Sequence, residues 1–277
     1  MARKRLHGAV WIGGLAALVG GTWLLRKGRG KGLRWWLRIP TMAVNVLQGS
    51  WDRATSDKSF TAQFGEDRIL AHRLRGSQIG CLLKKGYCVE VGANNGVDAS
   101  NTFYFEQVGW QGICVEADPV MAEECRQRRP GFTTVHAAVV APGTPPSVTF
   151  EVVEGNTGLS ALSFSEDQKE HVVRYAGEFK TKAVTVPAKT LDDILTENHA
   201  PQPLDFVTID VEGHEWGVLQ GFSARYWRPR VIILERNGPE LDPKIRAYLS
   251  ENGYRYLQTT PPDTTPGNEW FVPGPPL

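Results

Sequence analysis

Cysteine is scarce, with four residues in 277, at Cys81, Cys88, Cys114 and Cys125. Their spacing fits neither a zinc site nor a disulfide framework, so nothing in the chain demands an oxidising compartment. Cys88 and Cys114 fall inside apolar runs, where cysteine behaves as a small hydrophobe. Internal repeats and low-complexity tracts are missing, which excludes solenoids and arrays. Acids are absent from the first 40 residues, although nine of the 31 Lys and Arg residues lie there. The remainder therefore carries 22 bases against 30 acids. A basic tail on an acidic body excludes a nucleic-acid surface on the main domain and suits a tail that meets a membrane.

One long uncharged run is present. AVWIGGLAALVGGTWLL (residues 9–25) extends to residues 6–25 if His7 is neutral. At about 1.5 Å per residue such a helix would cross a hydrocarbon core of roughly 30 Å. Trp11 and Trp23 stand near its ends, where amphipathic rings favour the interface. Four glycines, Gly13, Gly14, Gly20 and Gly21, weaken the helix. A cleaved signal peptide is the rival, but RKGRGKGLR follows directly, without a small-residue cleavage site. Six bases follow the run and three precede it, so the expectation is a single-pass anchor with the main domain in the cytoplasm. LRWWLRIP (residues 33–40) suits either the headgroup layer or a linker helix.

After Ser50 the chain alternates strand and helix signals, as a parallel α/β sheet does. Two domains are expected: residues 1–50 as basic segment, anchor and linker, and residues 51–277 as one α/β domain. Strands are expected at 87–93, 112–118, 133–140, 204–213 and 230–238. SVTFEVVEG (147–155) reads as an added strand, and 254–260 with 269–273 as a closing antiparallel pair. Helices are expected at 101–109, at 119–129, at 165–175 behind Ser165, after Thr190, and ending at Gly253.

The first strand runs into VEVGANNGV. A glycine turn after a strand lets backbone approach a ligand. Dinucleotide sites need a third glycine to seat a pyrophosphate, and G-A-N-N-G has none, so a ligand without phosphates fits better. The second strand ends in Glu116, 24 residues after Gly92, placed to accept both hydroxyls of a ribose. Together they describe an adenosine-like ligand, and S-adenosyl-L-methionine fits best. TIDVEGHEW (208–216) then sets Asp210, Glu212, His214 and Glu215 at a strand's carboxyl end. They read either as capping acids of a solvated helix start or as a source of a general base, with His214 best matched by its ordinary pKa.

VEVGANNGVDASNT, GWQGICVEADP, NTGLSALS and DFVTIDVEGHEWGVLQGF, preceded by SFTAQFGEDRIL, resemble the FkbM-type methyltransferase family over residues 59–237. The resemblance implies a class I methyltransferase fold: a Rossmann-like, mostly parallel seven-stranded sheet with an antiparallel last strand, to which the N-terminal membrane-anchor helix read above would be an addition outside the common core. It implies S-adenosyl-L-methionine as donor and a hydroxyl acceptor on a sugar, polyketide or similar metabolite. Carried over by position, Glu90, Gly92, Ala93, Asn94 and Gly96 would line the donor site, Glu116 would hold the ribose and Ala138 would face the adenine. Asp210 would sit beside the methionine portion or the acceptor. Catalysis would fall to His214, Asp210 and Glu212. A metal version is also open, with Asp210, Glu235 and Asn237 offering oxygen ligands to Mg²⁺. The rival from another class is a membrane-tethered, non-catalytic interaction protein on the same fold.

Overall fold

The computed structural model describes residues 60–73, 85–236, 243–261 and 267–274, all within one compact unit, Arg53–Leu277. The anchor expected at residues 9–25, the tryptophan segment, Cys81 and Asn237 lie outside the described residues. Among those described, no helix is long and apolar enough to cross a membrane.

Helix α1 (Glu66–Arg73) leads into β1 (Tyr87–Val91), α2 (Phe103–Gln107), β2 (Gln111–Glu116), α3 (Pro119–Arg128) and β3 (Thr133–His136). Strands β4 (Ala138–Val139) and β5 (Ser147–Val153), helix α4 (Glu166–Ala176) and strand β6 (Thr181–Lys189) follow. The chain continues as α5 (Leu191–Glu197), β7 (Phe206–Ile209), α6 (Glu215–Gln220), α7 (Ala224–Trp227) and β8 (Val231–Arg236). It closes with α8 (Pro243–Glu251), β9 (Tyr254–Thr260) and β10 (Gly267–Pro273).

Seven strands form one sheet in the order β3-β2-β1-β7-β8-β10-β9. The first five are parallel, and β10, last in the chain, runs antiparallel to both neighbours. This is the sheet the resemblance implied. All four residues of β7 and the first four of β8 are buried, as expected of parallel strands covered on both faces. One large core joins β1, β2, β7 and β8 to α5, α6, α7 and α8, through residues such as Val89, Ile113, Leu195 and Leu219.

Several helix starts follow from local chemistry. Ser165 and Gln168 form a reciprocal capping box on α4, Thr190 caps α5, and Asp118 caps α3 ahead of Pro119, each satisfying amide donors that a helix start leaves open.

Two expected strands stop markedly early. The run 133–140 breaks at Ala137, whose amide donates to the Glu116 carbonyl at 3.0 Å. Beyond it the chain leaves the main sheet and β4 joins a second sheet, β4-β6-β5. The strand expected at 204–213 stops at Ile209, because Glu212 (φ +52°) and Gly213 (φ +95°) turn the chain left-handed.

Candidate functional site

β1 lies between β2 and β7, so the chain winds in opposite directions from it, and the crevice at the carboxyl ends of β1 and β7 is the topological switch point. A cavity of about 420 Å³ opens there, within the range of small-molecule sites. Its wall includes Glu90, Gly92, Ala93, Asn94, Glu116, Ala138, Asp210, Glu212 and His214. Of the donor-site and catalytic candidates, all but one share this cavity.

Gly96 is the exception. Its φ is +79°, and a Cβ there would lie 2.7 Å from both Arg129 Cγ and Cys125 Sγ. Its carbonyl accepts from Arg129 Nη1 at 2.7 Å, so its smallness serves the packing of α3's C-terminal end and not a ligand. Gly92 does line the cavity, but its φ is +83° and a Cβ would overlap the Asp210 carbonyl oxygen. What approaches Gly92 closely is the end of β7. Its amide and that of Ala93 donate to the Val115 carbonyl at 2.9 and 3.0 Å, which ties the turn to β2.

Glu90 reaches the cavity with its carboxylate already committed. Oε2 accepts from Ser100 Oγ at 2.7 Å and Thr102 Oγ1 at 2.6 Å, and Oε1 from the Asn101 amide at 2.6 Å. The buried Arg129 guanidinium stands 3.7 Å away. Glu90 therefore shapes the loop before α2, a role that position in the sequence alone does not distinguish from ligand binding.

Glu116 ends β2 with 8% of its surface exposed. Oε2 accepts from the Asn94 amide at 2.6 Å and Oε1 from the Asp118 amide at 2.7 Å. The Ala117 amide also pulls on this carboxylate, whose lone pairs still leave acceptor capacity for a hydroxyl. Burial pushes its pKa up to about 7, against the pull of those amides. Asp118, its neighbour, is spent on capping α3 through the Val120 amide at 2.7 Å.

On the opposite wall β7 and β8 run parallel, with Ile209 beside Leu234, so the next residues along, Asp210 and Glu235, emerge side by side. Oxygens of Asp210, Glu212 and Glu235 all lie within 4.8 Å of one another. Burial raises all three carboxyl pKa values, and those of Glu212 and Glu235 are raised further by the negative charge of Asp210. Of the three oxygen ligands expected, Asp210 and Glu235 meet here and Glu212 joins them, while Asn237 lies outside the described residues. Glu215 is not part of it: buried, it accepts from the Val211 and Gly213 amides at 3.2 and 3.1 Å and closes the turn. His214 stands at the start of α6 without capping it, and burial lowers its pKa, which favours the neutral form that can accept a proton.

Several wall residues escaped the sequence reading, two of them on α4. His171 and Tyr175 line the cavity from α4. They are four apart on one helix face, but inside a charged segment that reads as a solvated helix, and no motif marks them.

The wall fits S-adenosyl-L-methionine. Glu116 offers acceptors for a ribose, and Ala117, Ala137 and Ala138 give a small apolar surface for a flat base. A cation beside the far wall would favour ionisation of its buried carboxyls, so the wall suits a positively charged sulfonium. The side-chain oxygens of Asn94 and Asn101, on the same wall, are buried without a hydrogen-bond partner, a costly state that an ammonium donor would relieve.

Among solved structures the chain is similar to a TehB-like SAM-dependent methyltransferase from Corynebacterium glutamicum, at 8% identity and TM-score 0.42, over 84% of this chain and 99% of that one. It is also similar to Aeropyrum pernix fibrillarin with natively bound S-adenosyl-L-methionine, at 12% identity and TM-score 0.37, over 75% and 76% of the two chains. A third is M. capricolum TrmK in complex with S-adenosyl-homocysteine, at 8% identity and TM-score 0.40, over 76% and 67%. These likenesses are distant. No curated protein matches. The model of the methyltransferase FkbM domain matches residues 90–256. That stretch begins at Glu90 in β1, ends in β9 and takes in more than half of the sequence; the chain belongs to the FkbM methyltransferase family.

Proposed function

We propose that this methyltransferase moves a methyl group from S-adenosyl-L-methionine to a hydroxyl oxygen of a sugar, a lipid-linked glycan or a related metabolite. One observation carries the reading: a buried acid with acceptor capacity to spare, Glu116, and a wall of carboxyl and imidazole groups, Asp210, Glu212 and His214, share one cavity of about 420 Å³ at the switch point. The donor, when bound, supplies a methyl group on a positively charged sulfur. The chain's residues do the rest. Glu116, Ala138 and the Gly92–Asn94 turn hold the donor, and the far wall aligns an acceptor oxygen in line with it. His214 takes the hydroxyl proton, with Asp210 as the second candidate.

The test is transfer of tritiated methyl groups from S-adenosyl-L-methionine to a panel of sugars and lipid-linked glycans by the full-length protein. His214→Ala should lower turnover by about 10²-fold or more while leaving S-adenosyl-homocysteine affinity unchanged. Undiminished turnover removes His214 from the role.

The oxygen cluster of Asp210, Glu212 and Glu235 favours a second version, in which Mg²⁺ bound there lowers the acceptor hydroxyl's pKa. Activity that persists in EDTA excludes it. The run at residues 9–25 supports a membrane tether facing the cytoplasm, which would concentrate the enzyme near lipid-linked acceptors.

A further inference from the structure

Helix α4 lies in the chain between β5 and β6, two paired strands of the smaller sheet. Gln168, His171, Val172 and Tyr175 fall at helical spacing on one face. Val172 is buried. Gln168 does two things at once: its Oε1 accepts from the Ser165 amide at 2.8 Å, and its Nε2 donates to the Glu212 carbonyl at 2.5 Å. The amide sits where a Cβ on Gly213 would be, so the glycine of the acidic turn makes room for this contact. Farther along the helix His171 and Tyr175 line the cavity, with ring centroids 4.6 Å apart and planes tilted by 40°. Tyr175 keeps 58% of its surface exposed.

We propose that α4 is the acceptor wall of the cavity: His171 and Tyr175 select a sugar ring by stacking on its C–H face, and Gln168 is a positioning residue that holds this wall in register with Glu212. The inference rests on the proposed transfer to a hydroxyl. A pyranose has an apolar face and a rim of hydroxyls. The ring pair offers a surface for the first, and the Glu212 carboxyl offers hydrogen-bonding oxygens for the second. An extended apolar acceptor would gain nothing from the carboxyls, and a small alcohol would not reach the rings. At about 1.5 Å of rise per residue, Tyr175 lies roughly 10 Å along the helix from Gln168, so the wall extends well beyond the reacting centre.

The experiment is saturation-transfer NMR on the full-length protein loaded with S-adenosyl-homocysteine, using the methyl α-glycosides of glucose, galactose, mannose and rhamnose as probes. Calorimetry of S-adenosyl-homocysteine on the same samples reports the donor site separately. The expected result is saturation at the ring protons of at least one glycoside. It should be kept in Tyr175→Phe and weakened about tenfold in Tyr175→Ala. Gln168→Ala should weaken the glycoside while leaving S-adenosyl-homocysteine affinity unchanged, whereas a merely structural glutamine would move both. A protein that binds S-adenosyl-homocysteine but no glycoside, or a glycoside signal indifferent to Tyr175→Ala, overturns the inference and leaves the donor reading standing. Failure to bind S-adenosyl-homocysteine overturns both.

Discussion

Glu116 combines burial with the ability to ionise, and this gives it a signature in pH. Its pKa in the folded chain, about 7, stands above the 4.5 of an ordinary glutamate, with desolvation as the largest cause. Between those values the folded state holds a proton that the unfolded state has lost. Stability from this group is therefore complete at the acid end of the window and falls as pH rises through it, by up to about 1.4 kcal/mol per unit. Donor binding has the opposite slope, since the ionised carboxylate is the better acceptor for ribose hydroxyls. Urea unfolding of the ligand-free protein should show the decline, and Glu116→Gln should flatten its share of it. That substitution would also turn a side-chain amide N–H toward a backbone N–H, lowering stability throughout, so the slope and not the midpoint is the readout. Much of this residue was legible in the sequence, because an acid at the end of a second strand has a fixed place in such a sheet. The role of Gly96 was not legible, because Arg129, which packs against it, lies far along the chain and only folding brings the two together.

At the scale of elements, the loop between β1 and α2 is held by one buried arginine at the end of α3. Arg129 donates to the Gly96 carbonyl, to Ser100 Oγ at 3.3 Å and to Thr102 Oγ1 at 3.0 Å, and pairs with Glu106. Glu90 binds the same loop from below. Arg129→Met should destabilise the fold by about 3–5 kcal/mol, because it strands two carboxylates that were desolvated in its company; chemical denaturation measures this directly. Donor affinity should fall with it, since the loop carries Asn94 and Asn101 to the cavity. The break at Ala137 belongs to the same scale. TTVHAAVV has the composition of one strand, and only the competition between the Glu116 carbonyl and a second sheet for its backbone divides it. Composition carries no trace of that competition. Helix starts, by contrast, were readable at Ser165 and Thr190, because caps act within a few residues.

For the whole molecule, the order of strands does most of the functional work. It brings the ends of β1, β2 and β7 into one crevice, although β7 follows β2 by some 90 residues of sequence. Alternating strand and helix signals made that sheet legible, and the closing antiparallel pair as well. The acceptor side was much less so. α4 connects two strands of an added sheet, and its approach to Glu212 depends on Gln168, whose motif reads only as a helix cap. The central claim is that Glu116 anchors a donor in this crevice. Calorimetric titration of S-adenosyl-L-methionine and S-adenosyl-homocysteine into the full-length protein, beside Glu116→Ala, tests it most directly. The account predicts binding in the micromolar range, weakened by roughly a hundredfold or more in the variant, as expected when charge-assisted hydrogen bonding to the ribose is lost. Equal binding by both proteins, or none by a folded parent, would contradict it.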